Sequence, residues 1–310
     1  MTRHVVAKDF GGPEQLEVVE VPTPEPGERQ VRVAVRAIGV NPIDWKSYSG
    51  ATSRNPESLS TFGFELSGVV DAVGEGVDGW SVGDEVIAHG FHDGAYADAV
   101  VVPATTLLAK PAGMSFEQAA VVALVGGTAW HLVEAASLDG SETVLVHNGT
   151  GGVGSLVVQL ARLRGARVVA TGGPESQDRL RELGAVPLVY GDGLLDRVRS
   201  AAPEGVDVAL DCVGTDEAID VSLALVADPG RVISIAGFGR AGDGIRLLGG
   251  GPGADPGTRI RTVGRAEVVR LVAEGRLTLP IVGTFRLEET ARAHEVSRAG
   301  HVAGKLVVVP

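Results

Sequence analysis

The sequence predicts an α/β chain in which a doubly wound parallel sheet is joined to a smaller, barrel-like all-β unit. Three observations predict it. Between residues 143 and 236, short and nearly all-apolar runs alternate with helical segments, the pattern of buried parallel strands linked by right-handed crossovers. Residues 1–110 carry short alternating or β-branched runs separated by Pro and Gly clusters, the texture of a small all-β unit. The final run, 304-GKLVVVP-310, is more like the first region than the middle one, so the chain is expected to return to the β unit. The predicted boundaries are 1–118, 119–262 and 263–310.

The elements follow in order. Strands are read at 31-VRVAVRAIGV-40, 68-GVVDAVG-74 and 99-AVVVPA-104, set apart by 22-PTPEPGE-28 and 74-GEGVDGWSVGDEV-86. Ser115, three residues before Gln118, has capping-box spacing and opens one or two helices over 119–136. Strand 143–148 leads into helix 153–164, with Val153, Leu156, Val157, Leu160 and Leu163 on one face and Gly165 as its stop. Then come strand 167–171, helix 176–183, strand 186–190, helix 194–201, strand 206–213, helix 216–226 and strand 231–236. The stretch 249-GGGPGADPG-257 is expected to be a mobile loop. Helices near 264–274 and 288–299 precede the last strand.

Composition narrows the function. The chain has 310 residues, 44% hydrophobic and 21% charged, which suits a soluble two-domain protein. Its net charge of −12 argues against nucleic acid or anionic membrane as a partner. No uninterrupted apolar run is long enough to span a bilayer. The N-terminus lacks an apolar h-region, so no signal peptide is expected. Cys212 is the one cysteine. It leaves no intrachain disulfide and no cysteine-based structural zinc site, and a cytoplasmic home fits.

The stretch 147-HNGTGGVGS-155 carries the first chemical signal. Gly149, Gly151 and Gly154 form G-x-G-x-x-G directly after a strand and at the start of a helix. There the first glycine allows a sharp turn, the second lets backbone approach a pyrophosphate, and the third lets helix and strand pack closely. The helix N-terminus then holds the phosphate. Thr150, Gly152 and Val153 complete the cradle. A P-loop would need a Lys after its last glycine; Ser155 follows Gly154 instead. NAD sites place an acid at the end of the second strand, and 169-VATGG-173 has none. NADP(H) is therefore favoured, with Gly172, Ser176, Arg179 and Tyr190 around the ribose phosphate. Glu175 nearby opposes it.

The segments 39-GVNPIDWK-46, 63-GFELSGVVDAVGEGVDGWSVGDEV-86, 94-GAYADAVVVP-103, 126-GGTAW-130, 145-LVHNGTGGVGSLVVQLAR-162, 206-VDVALDCVG-214 and 300-GHVAGKLVV-308 carry a resemblance along nearly the whole chain. They resemble the zinc-independent, quinone-oxidoreductase-like branch of the medium-chain dehydrogenase/reductase superfamily. The resemblance implies a GroES-like β-barrel domain from both chain ends, a Rossmann domain between them, a cofactor cleft where they meet, and commonly a homodimer or tetramer, of which the homodimer is expected here. Where zinc-dependent relatives place Cys and His ligands, this chain has Asn41 and Phe64. His89, His92 and Asp93 sit on a glycine-rich loop and read as solvated. No metal is expected. Without a Lewis acid, hydride transfer to an already activated acceptor fits best: a quinone or an α,β-unsaturated carbonyl, a small-molecule substrate in either case.

The resemblance also implies site residues. Asn41 corresponds to a cleft residue facing the nicotinamide or substrate; a turn residue before Pro42 is the other reading. Tyr48 lies near a substrate-facing tyrosine and is the candidate proton donor, with water as the alternative. Thr128 corresponds to a cofactor contact, while Trp130 and His131 read as packing. Cys212 and Val213 end the fourth strand of the Rossmann unit, at the ligand edge of an open sheet. Gly237 and Phe238 follow the fifth and frame the nicotinamide pocket. Lys305 corresponds to a residue that reaches cofactor phosphate; a surface cation is the other reading. Phe62 stands where relatives carry Pro, and the polar loop 50–61 offers no obvious substrate contact. Two alternatives stay open: a biosynthetic enoyl reductase or cyclase acting on a specialised intermediate, and a non-catalytic nucleotide-binding protein.

Overall fold

The computed structural model describes residues 1–50, 62–90 and 94–310. Residues 51–61 of the polar loop 50–61, and the residues His92 and Asp93, lie outside them. The elements are β1 (Thr2–Ala7), β2 (Leu16–Val21), β3 (Gln30–Val40), α1 (Pro42–Tyr48), β4 (Glu65–Val73), β5 (Glu85–His89), β6 (Ala99–Pro103), β7 (Leu107–Ala109) and α2 (Phe116–Ala120). Next come α3 (Ala123–Ala136), β8 (Thr143–His147), α4 (Gly152–Leu163), β9 (Arg167–Gly172), α5 (Gln177–Glu182), β10 (Val186–Val189), α6 (Leu194–Ala201), β11 (Val208–Asp211), α7 (Asp216–Leu225), β12 (Val232–Ser234), β13 (Arg246–Leu247) and α8 (Thr258–Ala273). The chain ends with β14 (Ile281–Arg286), α9 (Thr290–Ala299) and β15 (Lys305–Val309). No helix among the described residues is long and apolar enough to cross a membrane.

Two units result: Met1–Leu124 with Pro280–Pro310, and Val125–Leu279. The return to the β unit thus comes at residue 280 rather than 263. The reason is α8, which packs on α3. A β-carbon on Gly264 would lie 2.7 Å from Trp130 Cδ1, and one on Gly126 would lie 2.8 Å from Val268 Cγ1. A helix with that partner stays in the middle unit.

The middle unit is a six-stranded sheet in the order β10-β9-β8-β11-β12-β13, parallel throughout. This is the doubly wound Rossmann order, in which the chain leaves β8 toward β9 and later returns to β8's other side with β11. Its strands are apolar because both faces are covered; Val144, Leu145, Val146, Val208, Ala209 and Leu210 are fully buried. Helix α4 ends as its sequence indicates, with Gly165 at a left-handed φ of 91°. The stretch 249–257, expected to be mobile, is tied back: Gly249 N donates to Asp255 O (2.8 Å) and Asp255 N to Leu247 O (2.9 Å).

The other unit holds a seven-stranded sheet in the order β14-β15-β3-β4-β5-β7, with β6 also on β3, and the β1-β2 hairpin. The chain end does return: β15 pairs antiparallel with β3, Leu306 opposite Val40. Among the strands that sequence reading did not name, β13 has only two residues and β14 contains Gly283. The Ser115–Gln118 capping box forms as expected.

Within this unit's core runs a buried polar chain. Tyr96 donates its proton to Asp44 Oδ2 (2.8 Å), so His294 must donate to Tyr96 from Nε2 (2.9 Å) and accept from Tyr48 at Nδ1 (2.7 Å). All four side chains are buried. Desolvation raises Asp44 to about 7 and lowers His294 to about 3.

A histidine held neutral in this way leaves a pH signature. Between pH 6.5 and about 3 the unfolded chain binds a proton that the folded protein refuses, so stability falls as pH falls. Asp44 contributes with the opposite sign, but it is present in wild type and variant alike. In urea unfolding, the stability advantage of wild type over His294→Gln should therefore shrink on acidification, by up to ~1.4 kcal/mol per pH unit. An advantage that stays constant from pH 7 to 4 would show that His294 takes up its proton in the folded state.

Candidate functional site

The site begins where β8 stops. Asn148 takes a left-handed φ of 57°, so the sharp turn falls on Asn148 rather than on Gly149. Asn tolerates that region better than most residues. Gly149 serves close approach instead: a β-carbon there would lie 2.8 Å from Ala170 Cβ and 2.9 Å from Leu180 Cδ2. One on Gly151 would meet Asn148 Nδ2 at 2.8 Å, and one on Gly154 would overlap the Asn148 carbonyl oxygen. Gly149 N donates to Thr171 O (2.8 Å), anchoring the turn to β9. Helix α4 then opens on Gly151 with no side chain capping it. The N–H groups of its first turn have no partner within the helix, and a pyrophosphate satisfies such groups.

Around the end of β9 the structure brings together three of the four predicted residues. Gly172 ends the strand, and a β-carbon on it would lie 3.2 Å from Ser176 Cβ. Tyr190 N donates to Gly172 O (3.4 Å) and its ring is exposed. Arg179 is drawn elsewhere, to Glu182 (3.0 Å) and Thr278 Oγ1 (3.1 Å). The carboxylate of Glu175 lies against Gly173.

The edge beyond β11 and β12 is organised by a residue that sequence reading missed. Asp211, fully buried, accepts at Oδ1 from Val213 N and Gly214 N (both 3.0 Å) and at Oδ2 from Ser234 Oγ (2.5 Å). Ser234 Oγ in turn accepts from Gly237 N (2.7 Å). One carboxylate thus sets the backbone of both turns, and Val213 and Phe238 stand exposed beside them. An acid at the end of the apolar run 208-VALD-211 was the available signal, since buried carboxylates need dedicated donors. Cys212 O accepts from Asn148 Nδ2 (3.5 Å), linking this edge to the glycine turn. Burial and then Asp211 push the Cys212 thiol up, which disfavours a thiolate. Because the strands are parallel, Asn148, Gly172, Cys212 and Gly237 all lie at or just past strand carboxyl ends on one sheet edge. The strand order reverses at β8 and β11, where open α/β sheets bind ligands. Thr128 accepts from Arg261 Nη1 (3.4 Å), and buried His131 accepts from Arg261 Nε (3.2 Å), in keeping with a packing role for the histidine.

The β unit corrects two expectations. Tyr48 does not present its hydroxyl as a proton donor: its side chain is buried and its proton goes to His294. Lys305 does not reach outward for a phosphate. It is 4% exposed, and its ammonium donates to Val40 O (2.9 Å), Asn41 Oδ1 (2.5 Å) and Glu65 Oε1 (3.3 Å). Asn41 is buried as well; its Nδ2 donates to Glu65 Oε1 (2.9 Å) and Gly39 O (3.2 Å). Glu65, a lone acid at the start of β4, was not singled out from sequence. These residues do not fit a divalent metal. The amide offers no free ligand atom of the right kind, and an ammonium already occupies the space between the oxygens. Among the described residues, no three His, Cys, Asp or Glu side chains gather as metal ligands.

Comparison with known proteins agrees with this architecture. Residues 27–112 match the family model for the alcohol dehydrogenase GroES-like domain, and residues 183–308 match the model for zinc-binding dehydrogenase. A quinone oxidoreductase from Pseudomonas aeruginosa is 33% identical, with 100% of both chains covered. The solved structure of Escherichia coli quinone oxidoreductase complexed with NADPH superposes with a TM-score of 0.88 at 28% identity, covering 100% of each chain. The CurK enoyl reductase superposes with a TM-score of 0.85 at 30% identity, covering 99% of each. Matched over its full length, the chain belongs to the quinone-oxidoreductase-like branch of the medium-chain dehydrogenase/reductase superfamily.

Proposed function

We propose that the protein is an NADPH-dependent oxidoreductase that delivers hydride to a quinone or an α,β-unsaturated carbonyl without a metal. The observation that carries this reading is the turn 148–154, where each motif glycine stands at a place with no room for a β-carbon. That backbone, at the switch point of a parallel sheet, is a pyrophosphate cradle. The similarity to an NADPH-complexed quinone oxidoreductase supports the choice of cofactor and reaction.

When bound, NADPH supplies the hydride. The chain's part is to bind, orient and exclude competing chemistry. Gly149, Thr150, Gly151, Gly152, Val153 and Gly154 hold the pyrophosphate through backbone N–H groups and the start of α4. Gly172, Ser176 and Tyr190 receive the adenosine ribose and its phosphate, where no acid ends β9. Cys212, Val213, Gly237 and Phe238 shape the nicotinamide end, held by Asp211 and Ser234. For an enone, hydride adds to the β-carbon and the enolate takes a proton at the α-carbon. With the Tyr48 proton committed to His294, that proton comes from water. For a quinone, hydride and one proton give the hydroquinone.

The CurK similarity favours one related reading, an enoyl reductase using the same hydride chemistry on a thioester. The assembly is proposed to be the homodimer that the family implies, in the cytoplasm. Sedimentation of a monomer at micromolar concentration would count against the dimer.

Two experiments test the cofactor reading. In nicotinamide fluorescence titrations, NADPH should bind at least about tenfold more tightly than NADH, a difference of ~1.4 kcal/mol. Preference for NADH would show that Glu175 reads the ribose, and binding of neither would remove the redox assignment. Turnover with simple quinones or with enoyl thioesters then separates the two substrate classes. Gly151→Ala should weaken NADPH binding about tenfold or more, because the new methyl stands where the backbone approaches the pyrophosphate; circular dichroism should be unchanged, since the methyl meets only the Asn148 side chain. Wild-type affinity in this variant would show that the turn does not hold the cofactor.

A further inference from the structure

We propose that Lys305 is a resident cation and a positioning residue, not a cofactor ligand: its ammonium takes the role of counter-charge to Glu65 and locks the amide of Asn41. The inference rests on the reading that Asn41 serves the hydride-transfer reaction. Glu65 is fully buried, and a buried carboxylate needs a positive partner or a full set of donors. Lys305 meets that need from the far end of the chain.

The geometry is specific. The three donors of the ammonium meet three oxygens: Val40 O (2.9 Å), Asn41 Oδ1 (2.5 Å) and Glu65 Oε1 (3.3 Å). Glu65 accepts from Asn41 Nδ2 (2.9 Å) at Oε1 and from Leu124 N (2.9 Å) at Oε2. Asn41 is therefore gripped at both ends of its amide, oxygen by lysine and nitrogen by glutamate, so the amide cannot flip without breaking both contacts. Two glycines make the room. A β-carbon on Gly39 would lie 2.6 Å from Glu65 Oε1. One on Gly304 would lie 2.5 Å from Pro280 O, and its φ of 147° excludes most side chains. Gly304 thereby brings Lys305 N to Pro280 O (2.9 Å) and aims the lysine inward. A lysine reaching for phosphate would need at least one donor to spare.

The test uses Lys305→Ala, Lys305→Met and Lys305→Arg in the full-length protein. Lys305→Ala should lower the melting temperature by roughly 6 °C or more, since it leaves a buried carboxylate unpaired. Methylammonium chloride, which refills the vacated site, should recover part of that loss, and potassium chloride at equal ionic strength should not. This readout stands whether or not the protein is a reductase. If the reductase reading also holds, the NADPH dissociation constant should stay within about twofold of wild type while kcat falls about tenfold or more. Methylammonium should restore kcat in Lys305→Ala, and Lys305→Arg should retain more kcat than Lys305→Met. A tenfold rise in the NADPH dissociation constant would overturn the proposal in favour of a phosphate contact. So would a melting temperature that methylammonium and potassium move equally. If Lys305→Ala does not fold, Lys305→Met fills the volume without the charge, and the NADPH dissociation constant decides the question there. Failure of wild type to bind NADPH would sink the reductase reading and leave the thermal rescue as the test of the resident cation.

Discussion

The carbonyl oxygen of Asn148 lies where a β-carbon on Gly154 would have to go, and the middle unit is arranged around that contact. Helix α4 can lie on the sheet next to β8 only if nothing projects between them. Gly149 meets the same constraint against Ala170 and Leu180 of the neighbouring strand and helix. Strand, turn and helix close into one rigid corner, and the corner leaves α4 uncapped by any side chain. An uncapped helix start at the switch point of a parallel sheet is a site for anionic phosphate. The proposed binding therefore draws on the same glycines that the packing requires.

Away from that corner, buried charge does the organising. Asp211 has no role in packing apolar surface. It is kept because its two oxygens set the turns after β11 and β12 through Val213, Gly214 and Ser234. Glu65 does the same in the β unit, joining Asn41, Lys305 and Leu124. Burying a carboxylate is costly unless its lone pairs are met by donors. Each of these two is met by at least three: those on Asp211 come from its own turn and from Ser234, and those on Glu65 from elements far apart in sequence. The polar chain Tyr48–His294–Tyr96–Asp44 follows the same rule with a neutral histidine at its centre. In the β unit this rule brings together a lysine, a glutamate and an amide.

Legibility differed between kinds of feature. Repeating local patterns were readable: the apolar strands of the Rossmann unit, the capping box at Ser115, the stop at Gly165 and the glycine motif all lie within a few residues of their causes. The short strands β13 and β14 were not, because two residues, or six interrupted by a glycine, make no periodic signal. The boundary at 280 was missed because α8 looks the same in sequence whichever unit it covers, and only its packing on Trp130 settles the matter. The expected roles of Tyr48 and Lys305 were carried over from relatives by position. Position does not reveal that each side chain turns inward to a partner roughly 240 or more residues away.

By itself, the sequence determined the class of fold, the order of strands and helices, the glycine turn after β8, and the absence of an acid at the end of β9. These depend on composition and spacing along a short stretch of chain. The tertiary structure alone decided which polar side chains are spent and which are presented. It spent Tyr48 on His294, Arg179 on Glu182 and Thr278, and Lys305 on Glu65 and Asn41. It also raised Asp211 from an unremarked strand residue to the anchor of two turns. The physical reason is that a hydrogen bond depends on distance in space. A side chain's free donors can be counted only after the chain has brought its distant partners within about 3 Å.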